Sequence, residues 1–130
     1  MNTRRRIVVA EDELIWRVSI NDFLVDQECD VSLATSAGEL VALANSVFGA
    51  GGPGPVLIVD VRLPSIQMEG IEAVGQLRAS MPAGTKCIFI SVLSEDDCRS
   101  KLAACGIQAG SYVWLQKPFD FDILLQRIQS

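Results

Sequence analysis

Five polar residues stand where short apolar runs of the sequence end, and their side chains are of types that could together carry out phosphoryl chemistry. They are Glu11, Asp12, Asp60, Ser91 and Lys117. Carboxylates that converge without a basic partner raise one another's pKa values by repulsion, and a hard divalent cation relieves that repulsion. Mg²⁺ prefers oxygen ligands and is usually held by one or two carboxylates together with a phosphate. The acidic residues therefore indicate a Mg²⁺ site.

The same residue types suit a phosphoryl-acceptor site. Asp60 offers a nucleophilic carboxylate, and a metal ion beside it would offset the charge that develops on an incoming phosphoryl group. Lys117 can form an ion pair with the phosphoryl oxygens, and the Ser91 hydroxyl can donate a hydrogen bond to one of them. Each residue alone has an ordinary structural explanation, such as a helix cap or an exposed lysine. Their joint placement at four strand ends favours a shared site.

The elements that must position these side chains alternate along the chain. Short continuous apolar runs predict strands at residues 7–10, 31–34, 56–59, 87–90 and 112–115. Amphipathic segments predict helices at residues 14–27, from a Ser36 cap to about residue 48, at 69–81, from a Ser94 cap to about residue 106, and at 119–129. In the first helix, the predicted apolar stripe consists of Leu14, Ile15, Val18, Phe23 and Leu24.

This order of elements predicts an α/β fold. Continuous apolar strands are buried on both faces, which is typical of a parallel sheet covered by helices on each side. We therefore expect one doubly wound (βα)5 domain over residues 1–130, with a flexible basic N-terminus at residues 1–5. Ligands of such sheets bind beyond the carboxyl ends of the strands, where the five polar residues should meet. Glu13 should instead lie in solvent on the first turn of the first helix.

Composition excludes several functional classes. The chain has 130 residues, 49% of them hydrophobic, and a formal net charge of −5. Nucleic-acid binding through a basic surface is therefore not expected, and the single basic cluster, residues 4–6, is interpreted as a solvated flank. No apolar stretch approaches the ~20 residues that a membrane span needs. Because a signal-peptide pattern is also missing, we expect a cytoplasmic location.

Two residue types, histidine and cysteine, narrow the possible chemistry further. The chain contains no histidine, which excludes a Cys/His zinc site and nucleophilic catalysis by a Ser-His or Cys-His pair. Its cysteines lack metal-ligand spacing and are interpreted as small buried hydrophobic residues in a reducing environment; they are Cys29, Cys87, Cys98 and Cys105. Residues 49–54 match GxGxxG, but they follow a helix and precede a strand, so they are interpreted as a loop and not as a dinucleotide site.

Four segments resemble the receiver domain of two-component response regulators. VVAEDE is similar to the acidic pair after the first strand, LIVDVRLP to the phosphoacceptor segment, FISVLSE to the Ser/Thr segment, and WLQKPF to the Lys-Pro signature. The resemblance extends from Arg6 to Gln129, and the four motifs come in the family's order on the expected strands. It implies a flavodoxin-like sheet with strand order 2-1-3-4-5.

The resemblance implies roles for the acidic residues. Asp60 would accept a phosphoryl group from a phosphohistidine, which must belong to a sensor histidine kinase or a histidine phosphotransfer protein because this chain has no histidine. Glu11, Asp12, Asp60 and the main-chain carbonyl of Arg62 would hold Mg²⁺. Asp12 is favoured as a direct ligand, with Glu11 acting through water.

The resemblance also implies which residues would contact the phosphoryl group and which surface would change on phosphorylation. Ser91 and Lys117 would contact the phosphoryl group, and the Lys117–Pro118 bond is often cis in the family. Trp114 would be the switch residue, on a face formed by the fourth helix, the fifth strand and the fifth helix that controls an output. The resemblance implies no enzymatic activity beyond self-phosphorylation from a phosphodonor and autodephosphorylation.

The sequence departs from the family pattern at four places. The turn at residues 64–70 and the segment at residues 106–117 are both longer than usual. Val92 stands where Ala or Gly is usual, and we expect it to slow the access of small phosphodonors and of hydrolytic water. Trp114 stands where Tyr or Phe is usual; its indole N–H needs a partner when buried, so an inward flip would be costly. A plain core tryptophan is the alternative interpretation.

Three functions are compatible with these residues. The first is a phosphorylation-dependent switch, and the second is a receiver-like interaction module with weakened or lost switching, which Val92, Trp114 and the longer loops favour. The third, an aspartyl-phosphate hydrolase, is disfavoured because Arg62 stands where those enzymes have a second acidic residue. A stand-alone receiver and the N-terminal part of a longer regulator, for example one with a DNA-binding domain, both fit the sequence.

Overall fold

Five strands alternate with five helices in the computed structural model, which describes residues 4–65 and 67–130. The strands are β1 (Arg6–Ala10), β2 (Asp30–Ala34), β3 (Val56–Asp60), β4 (Lys86–Ser91) and β5 (Val113–Gln116). The helices are α1 (Leu14–Asp26), α2 (Ala37–Gly49), α3 (Glu69–Leu77), α4 (Glu95–Ala104) and α5 (Phe121–Gln129). A 3₁₀ helix, Arg78–Ser80, continues α3. In the predicted flexible N-terminus, residues 1–3 lie outside the described residues.

The strands form one parallel sheet in the order β2-β1-β3-β4-β5. This confirms the predicted α/β fold and the strand order that the resemblance implies. The register aligns the carboxyl ends of β1, β3, β4 and β5, because Ala10 lies opposite Val59, and Asp60 opposite Ile90. Ser91 in turn lies opposite Gln116. The predicted site residues therefore meet at one edge.

Two hydrophobic layers cover the sheet, one on each face. Strand residues alternate between them, so that Val8, Leu57 and Phe89 pack with α2, α3 and α4, while Ile7, Ile58 and Ile88 pack with α1 and α5. Each fully buried side chain of this size contributes roughly 1.5–3 kcal/mol through removal of apolar surface from water. The three central strands β1, β3 and β4 are thus buried on both faces, as the continuous apolar runs predict, whereas the edge strands β2 and β5 are only partly buried.

Helix α1 differs from the predicted apolar stripe. Ile20 and Leu24 are buried against the sheet, with Trp16 and Phe23 packed beside them. Leu14, Ile15 and Val18 are exposed, and Ile15 retains 80% of its accessible surface. The reason is the helical period of 3.6 residues, which places residues 16, 20, 23 and 24 on one side of the helix. The prediction that Leu14, Ile15 and Val18 belong to the core-facing stripe is therefore wrong.

Side-chain caps set several helix boundaries. Ser94 and Asp97 form the predicted reciprocal capping box of α4. Ser36 accepts a hydrogen bond from the main-chain N–H of Glu39, but the Glu39 carboxylate accepts from the main-chain N–H of Thr35 instead of that of Ser36. Helix α5 begins two residues later than predicted, because Asp120 caps it and accepts a hydrogen bond from the N–H of Asp122. Helix α3 ends at Leu77, before the 3₁₀ helix.

Arg6 differs from the solvated flank that the basic cluster predicts. Its guanidinium donates to the carbonyl oxygen of Val47 at 3.0 Å and to that of Pro53. It thereby ties the glycine-rich loop between α2 and β3 to the start of β1, whereas Arg4 and Arg5 are exposed. Gly51 and Gly52 in this loop have positive φ angles, which glycine adopts without strain. Residues 50–54 thus form a loop as predicted, and Gly49 is the last residue of α2.

All four cysteines are free thiols, and three of them are buried. Cys105 is half-buried. This arrangement agrees with the prediction that the cysteines pack as small hydrophobic residues. Over residues 4–65 and 67–130, no helix has both the length and the apolar character that crossing a bilayer requires.

Candidate functional site

Three carboxylates converge at the carboxyl edge of the sheet. Oxygen atoms of Glu11, Asp12 and Asp60 all lie within 4.8 Å of one another. Glu11 is completely buried, Asp60 is 5% exposed, and Asp12 is half-buried nearer the surface. Glu13, by contrast, is exposed at the N-cap position of α1 without a side-chain capping bond. The acidic run therefore divides into two residues of the carboxylate cluster and one exposed residue, Glu13, outside it.

Lys117 is the cation that faces this cluster. Its Nζ lies 2.9 and 3.1 Å from the two carboxylate oxygens of Glu11 and 3.4 Å from Oδ2 of Asp60. The main-chain N–H of Lys117 donates to the carbonyl oxygen of Ser91 at 2.7 Å, which holds the lysine against β4. The Trp16 ring lies 5.0 Å from Nζ, within the range of a cation–π contact. One ammonium thus faces two carboxyl groups of the cluster directly.

Burial shifts the ionisation of the two inner carboxyls. It raises the pKa of Glu11 to about 8, with contact to Asp60 adding to the shift and Lys117 opposing it. Burial also raises the pKa of Asp60, against the opposing effects of Glu11, Lys117 and a main-chain hydrogen bond from Arg62. Desolvation of a charged group is the cause in both residues. A cation in the cluster would favour the ionised form of both groups.

Asp60 and Ser91 face a shallow cavity of about 150 Å³. Its lining residues are Asp12, Glu13, Asp60, Arg62, Pro64, Ser91, Val92 and Lys117. All the predicted site residues except Glu11 and Trp114 line it, and Glu11 lies behind Lys117 in the buried cluster. Val92 is 55% exposed at this cavity. The effect of Val92 on access to Asp60 stays a prediction.

Arg62 contributes both its main chain and its side chain to this region. Its main-chain N–H donates to Oδ1 of Asp60 at 3.2 Å, which orients the carboxylate. The Nε atom of the same residue is buried, and it has no hydrogen-bond acceptor among the described residues. The role of the Arg62 carbonyl as a metal ligand stays a prediction.

Gly70 is a structural residue of the site to which the sequence analysis assigns no role. Its main-chain N–H donates to the carbonyl oxygen of Val61 at 2.9 Å. A Cβ at this position would lie 2.0 Å from the carbonyl oxygen of Asp60. The start of α3 therefore packs directly on the backbone of Asp60, which only glycine permits. A glycine shortly after a strand-end aspartate is the one signal that could have indicated this contact.

Ser65 and Glu69 form hydrogen bonds across the turn between β3 and α3. The Ser65 hydroxyl donates to Oε2 of Glu69 at 2.8 Å, and the main-chain N–H of Ser65 donates to Oε1 at 3.1 Å. The Leu63–Pro64 peptide bond is cis, and Met68 has a φ angle of 61°. Ile66 lies outside the described residues. The Lys117–Pro118 bond on the other side of the site is also cis, as the resemblance implies.

Trp114 lies on β5, and side chains of this strand hold the loop after β4. The Trp114 indole N–H donates to the carbonyl oxygen of Leu93 at 3.2 Å, and Nε2 of Gln116 donates to that of Val92 at 3.1 Å. The Ser91 hydroxyl oxygen accepts from the N–H of Leu93 at 3.0 Å. The indole also packs against Phe89, with ring centroids 5.7 Å apart. A half-buried Trp114 is thus linked to Ser91 through one residue of the loop.

The residues at this edge fit a divalent cation. The ligand atoms available are hard carboxylate oxygens, which Mg²⁺ prefers, and their mutual distances allow one ion to contact all three groups. The opening beside Asp12 and Asp60 also leaves room for the waters that Mg²⁺ usually retains.

Solved structures share this fold. The chain is similar to a CheY-like response regulator receiver domain protein of Methanospirillum hungatei, with 22% identity, a TM-score of 0.76, and coverage of 98% of this chain and 92% of that one. It is also similar to a chain of the Saccharomyces cerevisiae co-crystal of the histidine phosphotransfer protein Ypd1 with the receiver domain of Ssk1. There the identity is 20%, the TM-score 0.73, and the coverage 97% and 87%.

A third structure is a response regulator of Burkholderia pseudomallei with a phosphorylated aspartic acid, a calcium ion and citrate. It has 16% identity and a TM-score of 0.75, and the match covers 97% of this chain and 67% of that one. Comparison with curated proteins finds no significant match. The sequence model described as the response regulator receiver domain matches residues 7–129, nearly the whole chain. The chain therefore belongs to the response regulator receiver domain family.

Proposed function

We propose that the chain is a phosphorylation-dependent switch in which Asp60 accepts a phosphoryl group from a phosphohistidine of a partner protein. The observation that carries this proposal is the placement of Asp60, a buried carboxylate that faces an open cavity beside Glu11, Asp12 and Lys117. In the transfer, the N–P bond of the phosphohistidine breaks and an O–P bond to Asp60 forms. The attacking carboxylate is ionised, and the leaving nitrogen keeps the electron pair of the broken bond; a proton on the other ring nitrogen of the phosphohistidine makes the leaving group a neutral imidazole.

The residues around Asp60 would have different roles in this transfer. Glu11, Asp12, Asp60 and the Arg62 carbonyl would hold Mg²⁺, and the bound ion would supply positive charge for the phosphoryl oxygens. The main-chain N–H of Arg62 orients Asp60. Lys117 lies between Glu11 and Asp60, so its ammonium can move from the carboxylates to a phosphoryl oxygen over a short distance. Positioning and electrostatic stabilisation are what phosphoryl transfer requires of a protein.

The output would pass through Ser91. If the Ser91 side chain rotates to bring its hydroxyl to the phosphoryl group, the hydrogen bond that its oxygen accepts from Leu93 would lengthen or break. Leu93 is also the acceptor for the Trp114 indole, so a shift of this loop reaches β5 and the α4–β5–α5 face. Phosphorylation would thereby change the surface that contacts an output protein or domain.

Phosphorylation should depend on both Mg²⁺ and Asp60. Incubation with Mg²⁺ and acetyl phosphate should add one phosphoryl group, detected by intact mass spectrometry, and chelation of Mg²⁺ should prevent it. Asp60→Asn should abolish the modification because the amide is not a nucleophile. Asp122→Asn, at an exposed carboxylate on α5, is the matched control and should be modified normally. An unmodified wild-type chain, with both acetyl phosphate and a phosphorylated histidine phosphotransfer protein, would refute the proposal.

The exposed end of α1 is the surface that we propose for the phosphohistidine partner. Leu14, Ile15 and Val18 follow directly after the acidic residues and remain exposed although they are apolar. A contiguous apolar patch beside a reactive group marks an interaction site better than scattered apolar residues do. Because a histidine on a separate protein has to reach Asp60, its carrier must cover the rim of the cavity. An apolar surface around the partner's histidine would bury this patch on contact.

Ile15→Ser should slow transfer from the protein donor without affecting transfer from acetyl phosphate. Loss of an interface anchor of this kind costs about 1.4 kcal/mol, or about tenfold in affinity. The transfer rate should be measured at a donor concentration below saturation. Val25→Ser is the control, since Val25 is 53% exposed on the same helix but about 15 Å further along it. Equal slowing by both variants, or slowing with acetyl phosphate as well, would argue against a docking role for the patch.

A receiver-like interaction module without switching is the second candidate function. Hydrogen bonds from Trp114 and Gln116 hold residues 92 and 93 from the β5 side, which favours a single loop conformation. Beryllofluoride with Mg²⁺ mimics the phosphorylated state, so the affinity for a bound partner distinguishes the two functions. An unchanged affinity supports the module, and a clear change supports the switch.

A further inference from the structure

A second, larger cavity lies at the opposite end of the sheet from Asp60. Its volume is about 410 Å³, within the range of small-molecule sites. The walls come from α3 and the 3₁₀ helix on one side, β4 at the base, and the connection between α4 and β5 on the other. This connection is the part of residues 106–117 that the sequence analysis identifies as longer than usual. The cavity shares no lining residue with the one at Asp60.

The walls of this cavity are mainly apolar. Val74, Met81, Phe89 and Ile107 line it, and Phe89 and Ile107 are buried. Tyr112 adds a second ring, whose centroid lies 5.5 Å from that of Phe89 in an edge-to-face arrangement. Aromatic walls of this kind favour a ligand with an apolar, preferably aromatic, body.

The polar side chains of the cavity differ in whether they have hydrogen-bond donors left for a ligand. The three hydroxyls donate their hydrogens within the protein, from Thr85 to Pro82 at 2.7 Å, from Ser111 to Gln108 at 2.6 Å, and from Tyr112 to Glu95 at 2.6 Å. Arg78 is the cation that lines the cavity, and no hydrogen bond or ion pair joins its side chain to another described residue. Its Nη1 lies 2.6 Å from the position that a Cβ on Gly106 would take, which places the guanidinium across the rim.

We propose that this cavity binds a small aryl carboxylate, with the ring among Phe89, Tyr112 and Met81 and the carboxylate on Arg78. No ion pair joins this guanidinium to an acidic side chain of the described residues, and its five donors match a carboxylate in a bidentate pair. The three hydroxyl oxygens can only accept, so Arg78 is the side chain that can recognise an anion. The apolar walls supply affinity, and Arg78 supplies the preference for an acid.

The test uses 2-naphthoate as the probe and amide chemical shifts of the ¹⁵N-labelled chain as the readout. Saturable shifts are expected at Gly75, Cys87 and Tyr112, with little change at Gly38 on α2. The neutral 2-naphthamide and the variant Arg78→Gln should each weaken binding about threefold to fivefold, which is the loss expected for removal of an ion pair at an exposed guanidinium. Ala79→Trp, which fills the cavity from an exposed position, should abolish the shifts.

Asp60→Asn should bind the probe as the wild type does, which separates this site from the proposed phosphorylation. An absence of saturable shifts up to the solubility of the probe would overturn the proposal. Shifts that map elsewhere, or equal affinities for naphthoate and naphthamide, would overturn it as well. Arg78 and Ala79 are exposed, so we expect both variants to fold. Well-dispersed amide spectra of the two variants would verify this.

Discussion

Gly70→Ala is expected to destabilise the folded protein by about 3 kcal/mol, the upper part of the range for overpacking a well-packed position. The reason is steric, since the added Cβ would lie 2.0 Å from the carbonyl oxygen of Asp60. That oxygen belongs to the backbone of a central strand and cannot move away like the end of a side chain. Either α3 separates from β3 or Asp60 shifts, so the rate of phosphorylation should fall together with stability. Chemical denaturation followed by circular dichroism measures the loss of stability.

Gly38→Ala provides the matched comparison. Gly38 lies in the first turn of α2, and, apart from its chain neighbours and the backbone of its own helix, no described atom lies within 4 Å of the position of an added Cβ. Alanine should therefore stabilise the protein by about 0.5–1 kcal/mol, because it favours the helix more than glycine does. A Gly70→Ala variant as stable as the wild type would show that α3 does not pack closely enough on the Asp60 backbone to exclude a Cβ.

Lys117→Met is expected to separate metal binding from phosphorylation. Removal of the ammonium leaves the buried Glu11 carboxyl without its hydrogen-bond donor, which should cost about 1–3 kcal/mol of stability in the absence of Mg²⁺. The affinity for Mg²⁺ should not fall, since the carboxylates remain and a competing positive charge is gone. The rate of phosphorylation by acetyl phosphate should nevertheless fall about a hundredfold, the typical loss when one charge-stabilising donor is removed.

The control for this prediction is Lys101→Met. Lys101 forms an ion pair with Glu72 at 2.9 Å, similar in length to that of Lys117 with Glu11, but both partners are partly or largely exposed. Exposed pairs contribute roughly 0–1 kcal/mol, so little change in stability and none in phosphorylation is expected. A Lys117→Met variant that is phosphorylated at the wild-type rate would show that the ammonium takes no part in the transfer.

The strand ends of this protein could be predicted from sequence because two simple patterns agree. Continuous apolar runs predict buried parallel strands, and the polar residue after each run then falls at the carboxyl edge. The register of Asp60 with Ile90, and of Ser91 with Gln116, brings these residues together as that reasoning requires. Glu13 likewise could be assigned to solvent from its place at the start of a helix.

Features that depend on tertiary contacts could not be predicted in the same way. Both sides of α1 carry apolar residues, so the sequence does not reveal that Ile20 faces the sheet and Ile15 faces solvent. The need for glycine at position 70 arises from the close approach of two elements and not from a local turn. Arg6 resembles its exposed neighbours until the loop after α2 folds back to accept its hydrogen bonds.

The contacts of Lys117 within the site also could not be predicted from sequence. The resemblance implies contact with a phosphoryl group on Asp60, whereas Nζ lies closer to the carboxylate of Glu11 than to that of Asp60. Glutamate has one methylene group more than aspartate, so its carboxylate reaches further into the site. The position of Nζ thus follows from side-chain length and burial, which the spacing of motifs does not report.

The most direct test of the central claim is to locate the phosphoryl group itself. After reaction with acetyl phosphate and Mg²⁺, borohydride reduces an acyl phosphate to an alcohol, and peptide mass spectrometry then identifies the residue. We predict conversion of Asp60 to homoserine, dependent on Mg²⁺, with Asp12, Glu11 and Asp122 unchanged. Reduction at any other carboxyl of the phosphorylated protein would contradict the assignment of Asp60 as the phosphoacceptor.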